Sequence, residues 1–278
     1  MPRTIGNPLS WAAAAVSAPF SGARPARDFS DQVRTRPLST ADLRQALRRG
    51  WDDVMHFRSD VVFACLLYPV IGGVLIAMAL QGNLIQLLFP TIAGFALAGP
   101  VAAIGLYEMS RQREDGAAVG WTALFDVMKS PRFGGILALA LFHLVIFLVW
   151  IMVANMIFKL TLGTADPSMG GFVAQVMSTP AGWAMAVIGT GVGFLFAVAV
   201  LAISVVSFPM MLDRDVTLPV AVTTSVRLAR ENPVVIGTWG AMVAGLLLLG
   251  SIPALIGLVI VLPLLGHATW HLYRAAIV

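Results

Sequence analysis

Two of the four histidines in this sequence have a spacing that could support metal or haem chemistry. His267 and His271 are separated by four residues, so on a helix both imidazoles would lie on one face and could bind one iron or another metal ion. Metal sites usually recruit acidic or sulfur ligands as well, and none accompanies this pair. We favour the alternative that they are histidines at the membrane interface, beside Trp270 and Tyr273.

His143 is the third residue with a capacity for binding or proton transfer, because it lies near the middle of a long apolar run. Asn155 follows three helical turns later on roughly the same face. The pair could form a buried ligand or a proton relay, but polar side chains in membrane helices more often bond to neighbouring helices, and we favour that interpretation. His143, His267 and His271 are thus the cofactor-binding candidates, and we expect no cofactor and no metal site.

Motifs that would indicate an enzyme do not occur in this sequence. There is no nucleophile elbow, zinc-protease helix, Walker A loop or protein-kinase signature. Cys65 is the only cysteine, which excludes an intramolecular disulfide and a cysteine-ligated zinc or iron–sulfur site within one chain. We therefore predict no catalytic residues and a protein that is not an enzyme.

The composition is that of a chain whose solvent is mostly lipid. Hydrophobic residues make up 58% of the 278 positions and charged residues only 12%, whereas soluble domains carry about 25% charged residues. The formal net charge of +4 is modest, and the basic residues lie just outside apolar runs, where anionic headgroups explain them. We expect the lipid bilayer as a partner and no nucleic acid.

Six apolar segments are long enough to cross a hydrocarbon core of about 30 Å. The predicted spans are residues 61–80, 84–107, 134–158, 181–212, 234–250 and 252–270. The last two divide one long uncharged stretch at Gly250-Ser251-Ile252-Pro253, which is suited to a turn. Residues 1–38, rich in Pro, Gly, Ser and Arg, are predicted to be a flexible cytoplasmic tail, and 39–278 to be the membrane domain.

The distribution of basic residues predicts the orientation of these spans. With this topology, every one of the 18 Lys and Arg residues except Lys159 falls on one side of the membrane. By the positive-inside rule that side is cytoplasmic, so both termini are expected in the cytoplasm of a cell with a bacterial-type inner membrane.

Each inner segment that precedes a pair of spans has the period of an amphipathic helix. The first carries Leu43, Leu47, Trp51, Val54 and Phe57 after a capping signature at residues 39–42, and similar stripes occur in 121–128 and 218–229. Such helices are expected at the level of the headgroups. The predicted fold class is all-α membrane, a six-helix transmembrane bundle of three hairpins, each preceded by a cytoplasmic interfacial amphipathic helix.

Glycines within two of the predicted spans are expected to let helices approach closely. They are Gly189, Gly191 and Gly193 in the fourth span and Gly237 and Gly240 in the fifth. Because they lie inside spanning helices, we interpret them as packing positions and not as a nucleotide-binding loop.

Several segments resemble an uncharacterised family of bacterial integral membrane proteins. They are TIGNPLSW at 4–11, YPVIG at 68–72, GLYE at 105–108, FPMMLDRD at 208–215 and LGHATWHLYR at 265–274. The family is a domain of unknown function whose members are often labelled cytochrome c oxidase subunit I. That subunit requires several histidines within its spans for haems and copper, and this chain has four histidines in total. The resemblance implies the membrane fold and location, and no residue roles.

These observations favour a non-enzymatic accessory, assembly or scaffold component of an inner-membrane complex. The expected partner is a protein of that complex or a second copy of this chain in a homo-oligomer. A second interpretation is a transporter or channel for an apolar or lipid-like solute, which predicts a polar cavity near Gln86, His143, Asn155 and Thr190. A third is a haem or metal-binding membrane protein that uses His267 and His271.

Overall fold

The computed structural model describes residues 33–57, 70–74, 76–77, 84–97, 99–117, 119–164, 166, 168–253 and 255–278. The described residues are predominantly helical, and the extended contact among them is a single antiparallel bridge between Thr35 and Ile277. Most of the predicted tail 1–38 and of the predicted first span 61–80 lie outside the described residues.

The helices are numbered here in chain order. They are α1 (Thr40–His56), α2 (Leu88–Leu97), α3 (Gly99–Ala102), α4 (Ile104–Glu114), α5 (Phe133–Thr161), α6 (Met169–Ser178), α7 (Pro180–Ser204), α8 (Ser207–Asp213), α9 (Leu218–Glu231), α10 (Pro233–Ser251) and α11 (Leu258–Ala276). Ile85–Leu87 and Trp121–Lys129 are 3₁₀ segments.

Three helical segments among the described residues are long and apolar enough to cross a membrane: Phe133–Thr161, Pro180–Asp213 and Pro233–Ser251. They correspond to the third, fourth and fifth predicted spans. Only 22%, 33% and 17% of the residues in their apolar windows are buried inside the protein. Apolar surface on this scale requires another apolar phase, and lipid supplies it.

The second and sixth predicted spans look different in the structure. Residues 84–97 and 99–107 contain a 3₁₀ turn, α2, α3 and the start of α4, and a turn at Ala103 separates α3 from α4. Pro90 lies in the first turn of α2, where proline is tolerated because that amide would have no partner within the helix. Residues 252–253 and 255–257 form turns, and α11 begins at Leu258 and runs on to Ala276, six residues beyond the end of the predicted sixth span.

The break between α7 and α8 lies four residues before Pro209. A proline is expected to bend or end a helix near its own position, and the helix does end near Pro209, with a turn at residues 205 and 206. A proline ring clashes with the carbonyl group four residues earlier, which here is that of Val205. Ser204 and Ser207 flank the turn and bond back to carbonyl groups of α7, at Val200 and Ile203.

Helix α1 begins with the predicted capping box. The Ser39 hydroxyl accepts a hydrogen bond from the Asp42 amide at 3.4 Å, and the Asp42 carboxylate accepts one from the Ser39 amide at 2.7 Å. The helix was expected to turn its apolar stripe toward the headgroups, and this is wrong for Leu43, Val54 and Phe57. All three side chains are buried within the protein, because α1 packs against α11.

Helices α1 and α11 run antiparallel in close contact. The amide of Arg36, just before α1, donates to the carbonyl of Ala276 at 3.0 Å. At the other end of α1, the Phe57 ring lies 5.8 Å from the His267 ring. Midway, a Cβ atom added to Gly50 would lie 2.6 Å from the backbone nitrogen of Ala268. The glycine therefore permits this approach of two backbones.

The other two predicted amphipathic segments differ in where their apolar stripes lie. Trp121–Lys129 is a 3₁₀ segment that buries Ala123 and Val127, whereas Phe125 and Met128 of its predicted stripe are exposed. Helix α9 has a proline in its first turn and buries Val220, Ala221 and Leu228. Both segments contribute residues to the protein core.

The core gathers residues from α1, α4, α8, α9 and the second half of α11, together with the start of α5 and of α10. Its largest fully buried side chains include Trp239, Trp270, Tyr107, Tyr273 and Phe208. Residues at the ends of the apolar helices thus form a compact end unit, while the rest of those helices exposes large apolar side chains such as Met152 and Leu160.

Two of the five span glycines have the packing role that was predicted for all of them. A Cβ atom on Gly193 would lie 2.9 Å from the Trp150 ring, and one on Gly240 would lie 2.6 Å from the Leu201 side chain. Among the described residues, a Cβ atom on Gly189, Gly191 or Gly237 would meet nothing within 4 Å, so for those three the packing role stays a prediction.

Candidate functional site

Five polar or charged residues meet where α1, α4 and α11 converge. Asp53 comes from α1, Ser110 and Arg113 from α4, and His267 and His271 from α11. We call them the junction cluster. The helical spacing places each residue on the inner face of its helix, and Asp53, Ser110, His267 and His271 are each less than 9% exposed.

Asp53 is the centre of the junction cluster. Its Oδ2 atom accepts hydrogen bonds from Nε2 of His271 at 2.8 Å and from Oγ of Ser110 at 2.7 Å. Its Oδ1 atom forms an ion pair with Nη1 of Arg113. A buried carboxylate is costly unless charge and hydrogen bonds compensate it, and here both oxygens are compensated.

Ser110 connects Asp53 to the second histidine. Its Oγ atom lies 2.7 Å from Nδ1 of His267. A hydroxyl has one proton, and the nearby carboxylate can only accept, so Ser110 donates to Asp53 and Nδ1–H of His267 donates to Ser110. The cluster is thus one connected network across three helices.

The hydrogen bonds keep Asp53 ionised despite its burial. Burial alone would raise the pKa of this carboxyl group, but the hydrogen bonds from His271 and Ser110 and the neighbouring histidine charges together lower its pKa to about 2. Asp53 is therefore negatively charged at neutral pH, and this charge attracts the guanidinium of Arg113.

A second layer of ion pairs surrounds the cluster. Nε of Arg274 lies 3.1 Å from Glu114, and Nη1 of Arg274 lies 3.4 Å from Asp213. The Tyr273 hydroxyl donates to Asp213 at 2.6 Å. Burial and this carboxylate both raise the pKa of Tyr273. The layer ties the end of α8 to α4 and α11.

The acidic and basic residues at the end of α4 bind mainly within the protein. The buried Glu108 accepts hydrogen bonds from Arg111 at 2.6 Å and from Gln112 at 2.7 Å. Because Arg113 and Glu114 also turn toward α1 and α11, this part of the chain is an internal network and not a solvated loop.

The junction cluster contains serine, histidine and aspartate, but its arrangement differs from that of a hydrolytic triad. In a triad, the aspartate orients the histidine that activates the serine. Here Asp53 bonds to His271, while Ser110 bonds to His267. Ser110 and His267 are 1% and 0% exposed, so a substrate carbonyl cannot reach the hydroxyl in this conformation.

The hydrogen bonds of His267 and His271 also determine which of their nitrogens could bind a metal ion or a haem iron. His267 uses Nδ1 toward Ser110, and His271 uses Nε2 toward Asp53, so one nitrogen of each ring is engaged. In the described part of the chain, no group of three or more His, Cys, Asp or Glu residues is placed to hold a metal ion.

His143, the third candidate, lies apart from the junction cluster. It is buried in α5, where Nδ1 lies 3.0 Å from the carbonyl oxygen of Leu139 and the ring packs 5.0 Å from that of Phe208. This local hydrogen bond differs from the interhelical one that we favoured.

The four residues expected around a transport path are not joined to one another. Among the described residues, no hydrogen bond links any two of Gln86, His143, Asn155 and Thr190, and Thr190 is exposed. An apolar groove of about 280 Å³ lies between α4, the Trp121–Lys129 segment and the start of α5. None of the four residues lines this groove.

Sequence reasoning identified the histidines of the junction cluster but missed Asp53, Ser110 and Arg113. The sequence does contain one signal that Asp53 is buried. Residues 43, 46, 50, 53 and 57 repeat at alternating steps of three and four, which is the pattern of a buried helix seam. Leu43, Ala46, Gly50 and Phe57 fit such a seam, and the carboxylate among them indicates a buried, paired charge.

Comparison with known proteins supports the membrane assignment. A family model described as a predicted integral membrane protein (DUF2189) matches residues 88–213, which include α2 to α8. No curated protein and no solved structure matches the chain. The description of the family mentions no oxidase. Residues 88–213, with two of the three apolar spans, therefore match an uncharacterised family of integral membrane proteins, and the chain is an integral membrane protein with apolar helices.

Proposed function

We propose that this protein is a non-enzymatic accessory, assembly or scaffold component of a membrane complex. The observation that carries the proposal is that the groups of the junction cluster are bonded to one another. Its reactive groups bind one another across α1, α4 and α11, and they are shielded from solvent. They are used to join helices, which suits a rigid binding unit better than a catalyst.

The proposal includes a topology of six spans with both termini in the cytoplasm of a bacterial-type inner membrane. The apolar lengths of α5, α7 with α8, and α10 support three of these spans. The near absence of basic residues on the opposite side, where Lys159 stands alone, supports the orientation. The compact end unit then lies at the cytoplasmic surface.

Two surfaces are available for a partner in this arrangement. One is the apolar surface of α5 and α7, where Leu160, Val187 and Phe194 are each more than 60% exposed, and a partner helix could replace lipid there. The other is the polar outer face of the end unit. A membrane partner with a cytoplasmic part could use both.

The test is to tag the chromosomal copy, extract it in mild detergent, and determine the identity and stoichiometry of co-purifying proteins by mass spectrometry. A second protein recovered at a fixed ratio is the expected result. The Asp53→Asn variant is the test of the end unit, because loosening the α1–α11 contact should reduce the recovery of a partner that binds there, and Asp52→Asn is its matched control.

Recovery of the wild-type protein alone would contradict an accessory role. Transport would then become the leading function, and uptake of an apolar or lipid-like solute into proteoliposomes would be the next measurement.

A further inference from the structure

Helix α1 presents a mixed basic and apolar stripe on its outer face. Arg44, Arg48, Trp51 and Met55 follow one another at steps of four, three and four residues, so they share one side of the helix. Trp51 is 44% and Met55 is 49% exposed, although α1 buries its opposite side against α11. Among the described residues, neither arginine has an ion pair or a hydrogen-bond partner.

The stripe is oriented along α1 with its apolar part toward the membrane. Asp53 and Phe57 contact His271 and His267 of α11, whose first half is apolar and whose second half carries all of its charged and hydrogen-bonding side chains. The antiparallel packing therefore places the C-terminal end of α1 nearest the apolar half of α11. Trp51 and Met55 lie at that end, and Arg48 and Arg44 lie one and two turns farther out.

This order of groups matches the layers of a leaflet surface. Tryptophan side chains are enriched at the level of the headgroups, and the apolar face of an interfacial helix reaches the acyl boundary. Guanidinium groups bind phosphate oxygens with two parallel hydrogen bonds. We propose that the Arg44–Arg48–Trp51–Met55 stripe binds the headgroup of an anionic phospholipid, with Arg48 and Arg44 on its phosphate and Trp51 beside its glycerol region.

The inference rests on the cytoplasmic placement of the end unit given under Proposed function, but it does not require a protein partner. The choice of lipid over a protein follows from charge and position. The stripe carries two cations and no anion, and it ends where the chain approaches its predicted first span. Anionic lipids supply the opposite charge at that depth.

Arg49 offers a matched control. It is exposed like Arg48 and also unpaired within the described residues, but it lies about 100° farther around the helix. The Arg48→Gln and Arg49→Gln variants lose the same charge from adjacent positions. Only the first loses a group of the stripe.

The experiment uses the full chain in detergent, titrated with phosphatidylglycerol or phosphatidylcholine and measured by native mass spectrometry. The wild type is expected to retain phosphatidylglycerol preferentially. Arg48→Gln should weaken this retention about fivefold and Arg44→Gln with Arg48→Gln more than tenfold, while Arg48→Lys should keep most of it. Arg49→Gln should remain within about twofold of the wild type.

Equal retention of the two lipids by the wild type, or equal losses in the Arg48→Gln and Arg49→Gln variants, would overturn the inference. A photoreactive amino acid at position 55 gives a second measurement. Crosslinks to lipid are expected, and crosslinks to one protein would assign the stripe to a protein partner instead. Loss of lipid preference with a co-purifying partner retained would overturn this inference alone.

Discussion

Asp53 and His271 are separated by 218 residues in sequence and joined by a hydrogen bond of 2.8 Å between Oδ2 and Nε2. The contact joins the two ends of the described chain, because α1 comes before every apolar span among the described residues and α11 comes after them. Since Asp53 also holds Ser110 and Arg113 of α4, the carboxylate joins three segments that are distant in sequence.

Replacing Asp53 by asparagine should destabilise the protein by about 3 kcal/mol, because Arg113 would lose its buried counter-charge and two strong hydrogen bonds would weaken. The midpoint of thermal unfolding in detergent should fall by roughly 5 to 10 °C. Asp52→Asn is the matched control, since Asp52 is the adjacent residue and is exposed. Equal shifts in the two variants would show that Asp53 has no special role.

The lowered pKa of Asp53 predicts how stability depends on acidity. This group has a pKa of 3.8 in an unfolded chain and about 2 in the folded protein, so the folded state favours its ionised form. The resulting stabilisation, about 2 kcal/mol, is fully present above about pH 5 and is lost as the pH falls toward 2.

The measurement for this prediction is the difference in unfolding midpoint between the wild type and Asp53→Asn from pH 2 to pH 7. The difference should be constant above about pH 5 and should shrink between pH 4 and pH 2. A difference that grows on acidification would contradict the ionised state of Asp53.

Gly50→Ala should also destabilise the junction. The added Cβ atom would lie 2.6 Å from the Ala268 nitrogen and 2.8 Å from the Ala268 Cβ atom, so α1 would have to move away from α11, at a cost of about 1 to 3 kcal/mol. Gly237→Ala is the control, because its added atom meets no atom of the described residues within 4 Å and alanine favours the helix. The midpoint of thermal unfolding should be clearly lower for Gly50→Ala than for Gly237→Ala.

The apolar spans could be predicted from the sequence because their signal is local. The run from Gly134 to Phe158 has no charge, and any chain with such a run must bury its backbone polar groups in a helix. The cap at Ser39 and the interruption ahead of Pro209 are likewise local, since each depends on residues no more than four positions apart.

The junction could not be predicted, because it depends on pairing between distant segments. The stripe with Leu43 and Phe57 predicts an amphipathic helix, but a hydrophobic stripe does not specify whether lipid or protein will cover it. The structure shows protein, and the reason is partly Gly50, which lets α11 approach. Similarly, the spacing of His267 and His271 places them on one face without indicating that Asp53 and Ser110 lie opposite.

The engagement of both α11 histidines predicts that the purified protein carries no haem. His267 bonds to Ser110 through Nδ1 and His271 to Asp53 through Nε2. The other nitrogen of each ring is buried, so an iron atom could reach it only if the helices packed around α11 moved apart. We expect no Soret band in the visible spectrum of protein purified from cells supplied with haem precursor. A Soret band that disappears in the His271→Ala variant would contradict this prediction.

A fluorophosphonate probe should fail to label Ser110. Such probes react with serine hydroxyls that a histidine activates and that solvent can reach. Ser110 is next to His267 but is 1% exposed, and its proton is directed at Asp53, so the oxygen is neither accessible nor activated. The measurement is mass spectrometry of peptides after incubation of the protein in detergent, with a serine hydrolase added as a positive control. An adduct on Ser110 that is lost in His267→Ala would show that the junction cluster opens and acts as a nucleophile, and the non-enzymatic function would then have to be abandoned.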